Sequence, residues 1–158
     1  MFTLNTVLSI LQAPILYDEN AVFFIDFDGK VNKAHSFGEV LKNSHNTIKM
    51  ERMENFSRAM NEECLALAKK YNHAEGPITC HLFYAKKGSP SFTPHTDPFD
   101  VVIYCCEGTK TIEMNGIMHD INAGEYFHIP SGTLHQAFNN SEALTLSFAF
   151  EDYMENRI

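Results

Sequence analysis

The stretch Gly124-Glu125-Tyr126-Phe127-His128-Ile129-Pro130-Ser131-Gly132-Thr133-Leu134-His135-Gln136-Ala137-Phe138-Asn139 decides the fold. Two short apolar runs, 126–129 and 134–138, flank a Pro-Ser-Gly turn, and Ala123-Gly124 opens the segment. That pattern reads as strand, turn, strand. The same reading extends outward to 78–85, 100–106, 109–114, 117–121 and 144–150. Turn residues separate these runs: Gly88-Ser89-Pro90, Glu107-Gly108, Asn115-Gly116 and Asn139-Asn140. Short strands at such regular spacing predict an antiparallel sandwich or barrel.

The first half differs. Residues 6–11 read as a short helix stopped near Pro14. An apolar run over 21–27, then Asp28-Gly29 and a second run over 30–34, reads as a hairpin with a type I′ turn. The stretch around Asp26 and Asp28 lacks the later carboxylates of a calcium loop. Met50, Met53, Phe56, Met60, Cys64, Leu67 and Tyr71 recur at steps of three or four, the core-facing stripe of a helix ended by Gly76-Pro77. The expectation is one mainly β domain over 1–158. Residues 1–77 would form a helical and hairpin elaboration, and 78–151 the barrel core.

Composition narrows the function. The 158 residues are 44% hydrophobic and 20% charged, enough to bury a real core. Twelve Lys and Arg against twenty Asp and Glu leave a net charge of −8, which argues against nucleic acid and anionic membranes as partners. Cys64, Cys80, Cys105 and Cys106 form no C-x-x-C pair and read as thiols. No basic residue leads the apolar patch of the first 17 residues, and no run spans a membrane. These features together predict a cytoplasmic protein.

The chemistry centres on His95-Thr96-Asp97. In an extended segment, residues i and i+2 share a face, so the imidazole and carboxylate can hold one metal ion. His135, at the start of another strand, supplies a third donor. Two His and one carboxylate are the facial set of non-haem Fe(II) oxygenases, which leaves coordination positions open. His128 reads as a packed or hydrogen-bonded residue. Strand parity suggests Tyr104, Thr145 and Ser147 as cavity residues, and His81 could point into the barrel mouth. His35, His45, His73 and His119 read as surface residues.

The pattern G-x5-P-x-G-x2-H-x3-N, with Gly124, Pro130, Gly132, His135 and Asn139 in place, resembles the second cupin motif. That implies a double-stranded β-helix, the cupin jelly-roll barrel. Residues 95–110 resemble the Jumonji C-type cupins, and most of all the ribosomal-oxygenase branch. In that branch a Lys or Arg fifteen residues after the first His pairs with the distal carboxylate of 2-oxoglutarate, and Lys110 occupies that position. The resemblance implies an Fe(II)- and 2-oxoglutarate-dependent oxygenase acting on a protein side chain or a small molecule. His95, Asp97 and His135 would bind iron, while Lys110, His81 and Tyr104 would serve the co-substrate. Where relatives carry Asn and Tyr before the triad, this chain has His81 and Phe83, so Lys110 would hold the carboxylate with less help. Cys105 and Ile112 stand in places that relatives often fill with Gln and an aromatic residue. The similarity does not include the dimerisation and winged-helix portions of those enzymes, so a homodimer is an open expectation. Two other readings stay open: a metal-dependent cupin dioxygenase or isomerase that does not use 2-oxoglutarate, and a non-catalytic ligand-binding cupin.

Overall fold

The computed structural model describes residues 2–153. In chain order its elements are α1 (Leu4–Ile10), α2 (Pro14–Asp18), β1 (Val22–Ile25), β2 (Val31–Lys33), α3 (Phe37–Lys42) and β3 (Thr47–Met50). A 3₁₀ turn (Met53–Asn55) and α4 (Arg58–Lys70) follow. Then come β4 (Ile78–Ala85), β5 (Val101–Met114), β6 (Ile117–Asn122), β7 (Tyr126–Ile129), β8 (His135–Phe138) and β9 (Ala143–Phe150). The strands pair antiparallel in the order β2-β1-β3-β4-β9-β5-β6, and β7 and β8 also pair with β5. The first half of β5 lies against β9 and β7, the second half against β6 and β8. This long shared strand wraps the chain into a jelly roll, the architecture expected for the barrel.

Alternation along the strands sorts side chains between two cores. On β9, Leu144, Leu146, Phe148 and Phe150 join Cys80 and Leu82 of β4 beneath the helices, where Met60, Cys64 and Leu67 of α4 meet them. The opposite faces of these strands carry His81, Phe83, Thr145, Ser147 and Ala149 into the barrel. A smaller cluster of Val101, Cys105, Ile112, Ile121 and Ile129 fills the far wall. Each fully buried Leu or Phe contributes roughly 1.5–3 kcal/mol, so the larger cluster under the helices carries most of the stability. Cys64, Cys80, Cys105 and Cys106 are all free thiols. Cys105 joins the barrel cluster, while its neighbour Cys106 packs against the other one. Among the described residues no helix is long and apolar enough to cross a membrane.

Four local expectations are corrected. Glu107-Gly108 does not separate two strands, because β5 runs unbroken from Val101 to Met114 with a bulge between Cys105 and Glu107. The apolar stripe from Met50 is not one helix. Arg52 adopts a left-handed conformation (φ 55°), and the helix starts only after Ser57, whose hydroxyl accepts from the Met60 N–H at 3.3 Å. The first hairpin closes without a type I′ turn. Only Gly29 has positive φ there, and the Asp26 carboxylate gathers the Asp28 and Lys30 N–H groups at 2.9 and 3.0 Å. Asn115-Gly116 does adopt positive φ at both positions, 53° and 79°, between β5 and β6. Finally, β1 and β3 are not merely packed on the barrel. β3 pairs with β4 and extends its sheet, so Thr47 and Lys49 from the first 77 residues enter the cavity wall.

Candidate metal centre and its cavity

His95 and Asp97 lie in the loop between β4 and β5, and backbone bonds tie that loop to the start of β8. The N–H of His95 donates to the carbonyl of His135 and the reverse bond is also made, both at 3.0 Å. The Gly132 N–H donates to the Asp97 carbonyl at 2.8 Å. Asp100 reinforces the tie: one carboxylate oxygen accepts from the Ser131 N–H at 2.8 Å and the other meets His128 Nε2 at 2.9 Å. His128 is thus hydrogen-bonded and is not a fourth donor of the triad. His73, expected at the surface, is largely buried and bonds the Glu151 carbonyl.

Ligating atoms of His95, Asp97 and His135 fall within 4.8 Å of one another. An Asp97 carboxylate oxygen is 3.3 Å from His135 Nε2 and 3.8 Å from His95 Nε2. The side chains are 37%, 26% and 8% exposed for His95, Asp97 and His135, a site open on one side. Each histidine places Nδ1 at 2.8 Å from the carbonyl two residues before it, Thr93 for His95 and Thr133 for His135. A carbonyl can only accept, so both Nδ1 atoms carry the proton and both Nε2 lone pairs are free for an ion. This donor set fits a divalent first-row metal.

The triad opens on a cavity of about 230 Å³. Lys110, His81 and Thr145 line the same cavity. Lys110 is only 6% exposed, and burial lowers its pKa to about 8. Its Nζ donates to Asn139 Oδ1 at 2.5 Å. Asn139 is itself oriented, because its NH₂ donates to the Ser89 and Pro90 carbonyls at 2.9 and 3.2 Å and approaches the Thr47 hydroxyl at 3.4 Å. Burial and the nearby Lys49 charge lower the His81 pKa to about 4, so this imidazole is neutral at neutral pH. Its Nδ1 accepts from the Arg52 N–H at 3.3 Å, which leaves Nε2–H as a donor.

Tyr104 does not join this group. It lies on the opposite face of β5, in the cluster beneath the helices, with its ring 4.6 Å from that of Tyr126. The reason is the bulge. Val101 and Ile103 line the cavity before it, and Lys110 and Ile112 after it. The extra residue reverses the alternation, so Lys110 faces inward and Tyr104 outward. Sequence reading also passed over Lys49. The polar-apolar alternation Thr47-Ile48-Lys49-Met50 was the signal that could have marked a strand with two polar residues on one face.

Residues 81–150 match the family described as the cupin domain. Among solved structures, YcfD, a ribosomal oxygenase from Escherichia coli, superposes with a TM-score of 0.72 at 17% identity, covering 95% of this chain and 43% of that one. The same protein in complex with cobalt and succinic acid gives a TM-score of 0.71 at 17% identity, over 95% and 44% of the two chains. This chain therefore spans less than half the length of that oxygenase. A putative ethanolamine utilization protein from Salmonella typhimurium matches at a TM-score of 0.46 and 15% identity, over 68% of this chain and 71% of its own. That superposition is too loose to argue from. No curated protein matches this sequence. Domain match and architecture agree in kind: the strands around residues 81–150 form a jelly-roll barrel similar to that of the cupin domain.

Proposed function

We propose that this cupin is an Fe(II)- and 2-oxoglutarate-dependent oxygenase that hydroxylates a protein side chain or a small molecule. One observation carries the reading. Lys110 is a buried ammonium in the same cavity as a two-histidine, one-carboxylate set. Among the described residues it makes no salt bridge, and its acceptor is the neutral amide of Asn139. A buried charge without a counter-charge is costly, so this cavity suits a ligand that brings an anion to Lys110. A keto acid with a chelating group at one end and a carboxylate at the other answers both demands. The complex of a protein of the same fold with cobalt and succinic acid is in keeping with that choice.

When bound, Fe(II) would couple oxidative decarboxylation of 2-oxoglutarate by dioxygen to C–H hydroxylation, yielding succinate and carbon dioxide. The chain's own residues bind and orient. His95, Asp97 and His135 would hold the ion from one side. Lys110 would pair with the distal carboxylate, with Asn139 aiming the ammonium. Val101, Ile103, Ile112 and Ile129 form an apolar wall that keeps water from the reacting groups.

The test is titration of 2-oxoglutarate into the anaerobic Fe(II) protein, read by the metal-to-ligand charge-transfer band of the chelated keto acid. Lys110→Ala should weaken 2-oxoglutarate by about two to four orders of magnitude, the equivalent of ~3–5 kcal/mol for a broken buried pair. Fe(II) should stay bound, and Lys110→Arg should be milder. A wild type without the band at millimolar 2-oxoglutarate would leave a metal cupin that does not use this co-substrate. Equal bands in wild type and Lys110→Ala would show that another residue anchors the carboxylate.

A further inference from the structure

The cavity wall carries more cationic than carboxylate side chains. Besides Lys110 it carries the Lys49 ammonium, the His81 imidazole and the hydroxyls of Thr47, Ser91, Thr145 and Ser147, and among the described residues Asp97 is its one carboxylate. With Asp97 assigned to the metal and Lys110 to the co-substrate, the positive charge of Lys49 has no role in the oxygenase reading. Its position is nevertheless well defined. Lys49 stands opposite Phe83 in the β3–β4 register, and its side chain is 17% exposed. Its Nζ lies 5.9 Å from the ring centre of Phe83 and 5.6 Å from that of Phe92. Phe92 meets the His95 ring edge-on at 5.9 Å. The ammonium is therefore one aromatic ring removed from the triad.

Glu51, outside the cavity lining, sits 2.9 Å from Lys49 Nζ and occupies one of its three hydrogens. Two hydrogens are left for a ligand. An ammonium lying over aromatic rings and mostly screened from water pairs more strongly with an anion than an exposed lysine does. Next to it, His81 offers a neutral N–H donor whose orientation is set by the Arg52 backbone. The cavity is at the small end for ligand sites, so it suits a compact acid or a single acidic side chain. In a chain with a net charge of −8, two lysines on one cavity wall stand out, and Glu51 partners only one of them.

We propose that Lys49, with His81 beside it, selects a primary substrate bearing a carboxylate, and that this ion pair turns the neighbouring C–H bonds of the substrate towards the metal centre. The inference rests on the oxygenase reading for its chemistry, but the binding preference can be measured without turnover.

The experiment uses the full chain loaded with Mn(II) and saturated with 2-oxoglutarate. Butyrate, butyramide and butylamine are the probes, and the readout is paramagnetic relaxation of their protons. Butyrate should bind about tenfold better than the other two. Lys49→Met should remove that preference while 2-oxoglutarate binds as in wild type. Glu51→Gln, which removes the competing carboxylate, should raise butyrate affinity by about threefold, and it gives a separate reading should Lys49→Met fail to fold. Equal affinity for the three probes in wild type, a preference that survives Lys49→Met, or no gain in Glu51→Gln overturns the proposal. Loss of 2-oxoglutarate binding in Lys49→Met also overturns it, because Lys49 would then hold the co-substrate. If 2-oxoglutarate fails to bind the wild type at all, the oxygenase reading falls. The Mn(II) protein alone, with Lys49→Met as its control, then still decides the role of Lys49.

Discussion

Lys110 shows how burial tunes a single group. Its amine loses a proton more readily in the folded chain than in the unfolded one, with a pKa of about 8 against the usual 10.5, because the charged form is desolvated. The cost of burying the charge is therefore fully present below about pH 8 and is relieved as pH rises towards 10.5. Anion binding runs the other way. Above about pH 8 the free protein must take up a proton before Lys110 can pair with a carboxylate. The affinity for 2-oxoglutarate should be flat up to that pH and then fall by as much as about tenfold per unit. Calorimetry on the Zn(II)-loaded protein at pH 7, 8 and 9 checks this. A flat profile over the whole range would mean that the lysine charge is not what the acid reads.

The decisive element is β5. Its bulge between Cys105 and Glu107 puts Lys110 inside the barrel and Tyr104 outside it. Gly108, at φ +75°, is what the bulge requires, since a Cβ there would lie 1.9 Å from the Glu142 carbonyl oxygen. Gly108→Ala must push β5 and β9 apart as well as strain its own backbone. It should cost about 3 kcal/mol or more and weaken 2-oxoglutarate by turning Lys110 away. Urea unfolding together with a 2-oxoglutarate titration separates the two effects. A variant of wild-type stability would show that the close approach is not real. The same strand sends Cys105 and Cys106 to opposite sides, out of reach of each other. Thiol titration in denaturant without reductant should find four free thiols, and a count of two would contradict the free state of Cys64 and Cys80, the two thiols that neighbour each other.

Taken as a whole, the molecule keeps its stability and its chemistry in different places. The sheet packs its outer face against the helices, around Phe148, Met60 and Leu82, while its inner face encloses a partly empty cavity. The triad joins the β4–β5 loop to β8, so an ion there would cross-link segments far apart in sequence. At a hundredfold excess over its dissociation constant a metal adds about 2.7 kcal/mol. For a chain of this length that raises Tm by roughly 5–10 °C. Thermal scans with Mn(II) or Fe(II) should show this shift in the wild type and none in His135→Ala. An equal shift in the variant would mean that the ion binds elsewhere.

The barrel and the candidate triad were legible along the chain because both depend on local rules. Gly124, Pro130, Gly132 and His135 are spaced as a strand-turn-strand unit requires, and an H-x-D pair shares one face of any extended segment. The helix under the sheet was legible from its stripe, although not its start, because Arg52 and Ser57 break the run by backbone conformation and capping. The cavity wall was not legible. Which face Lys110 or Tyr104 takes depends on a bulge, and the bulge depends on how closely Gly108 approaches Glu142, the residue just before β9. Lys49 reaches the cavity only because β3 pairs with β4 across a gap filled by α4. Alternation assigns faces within one unbroken strand. Register, bulges and the pairing of distant strands are set by packing between segments that no local pattern connects.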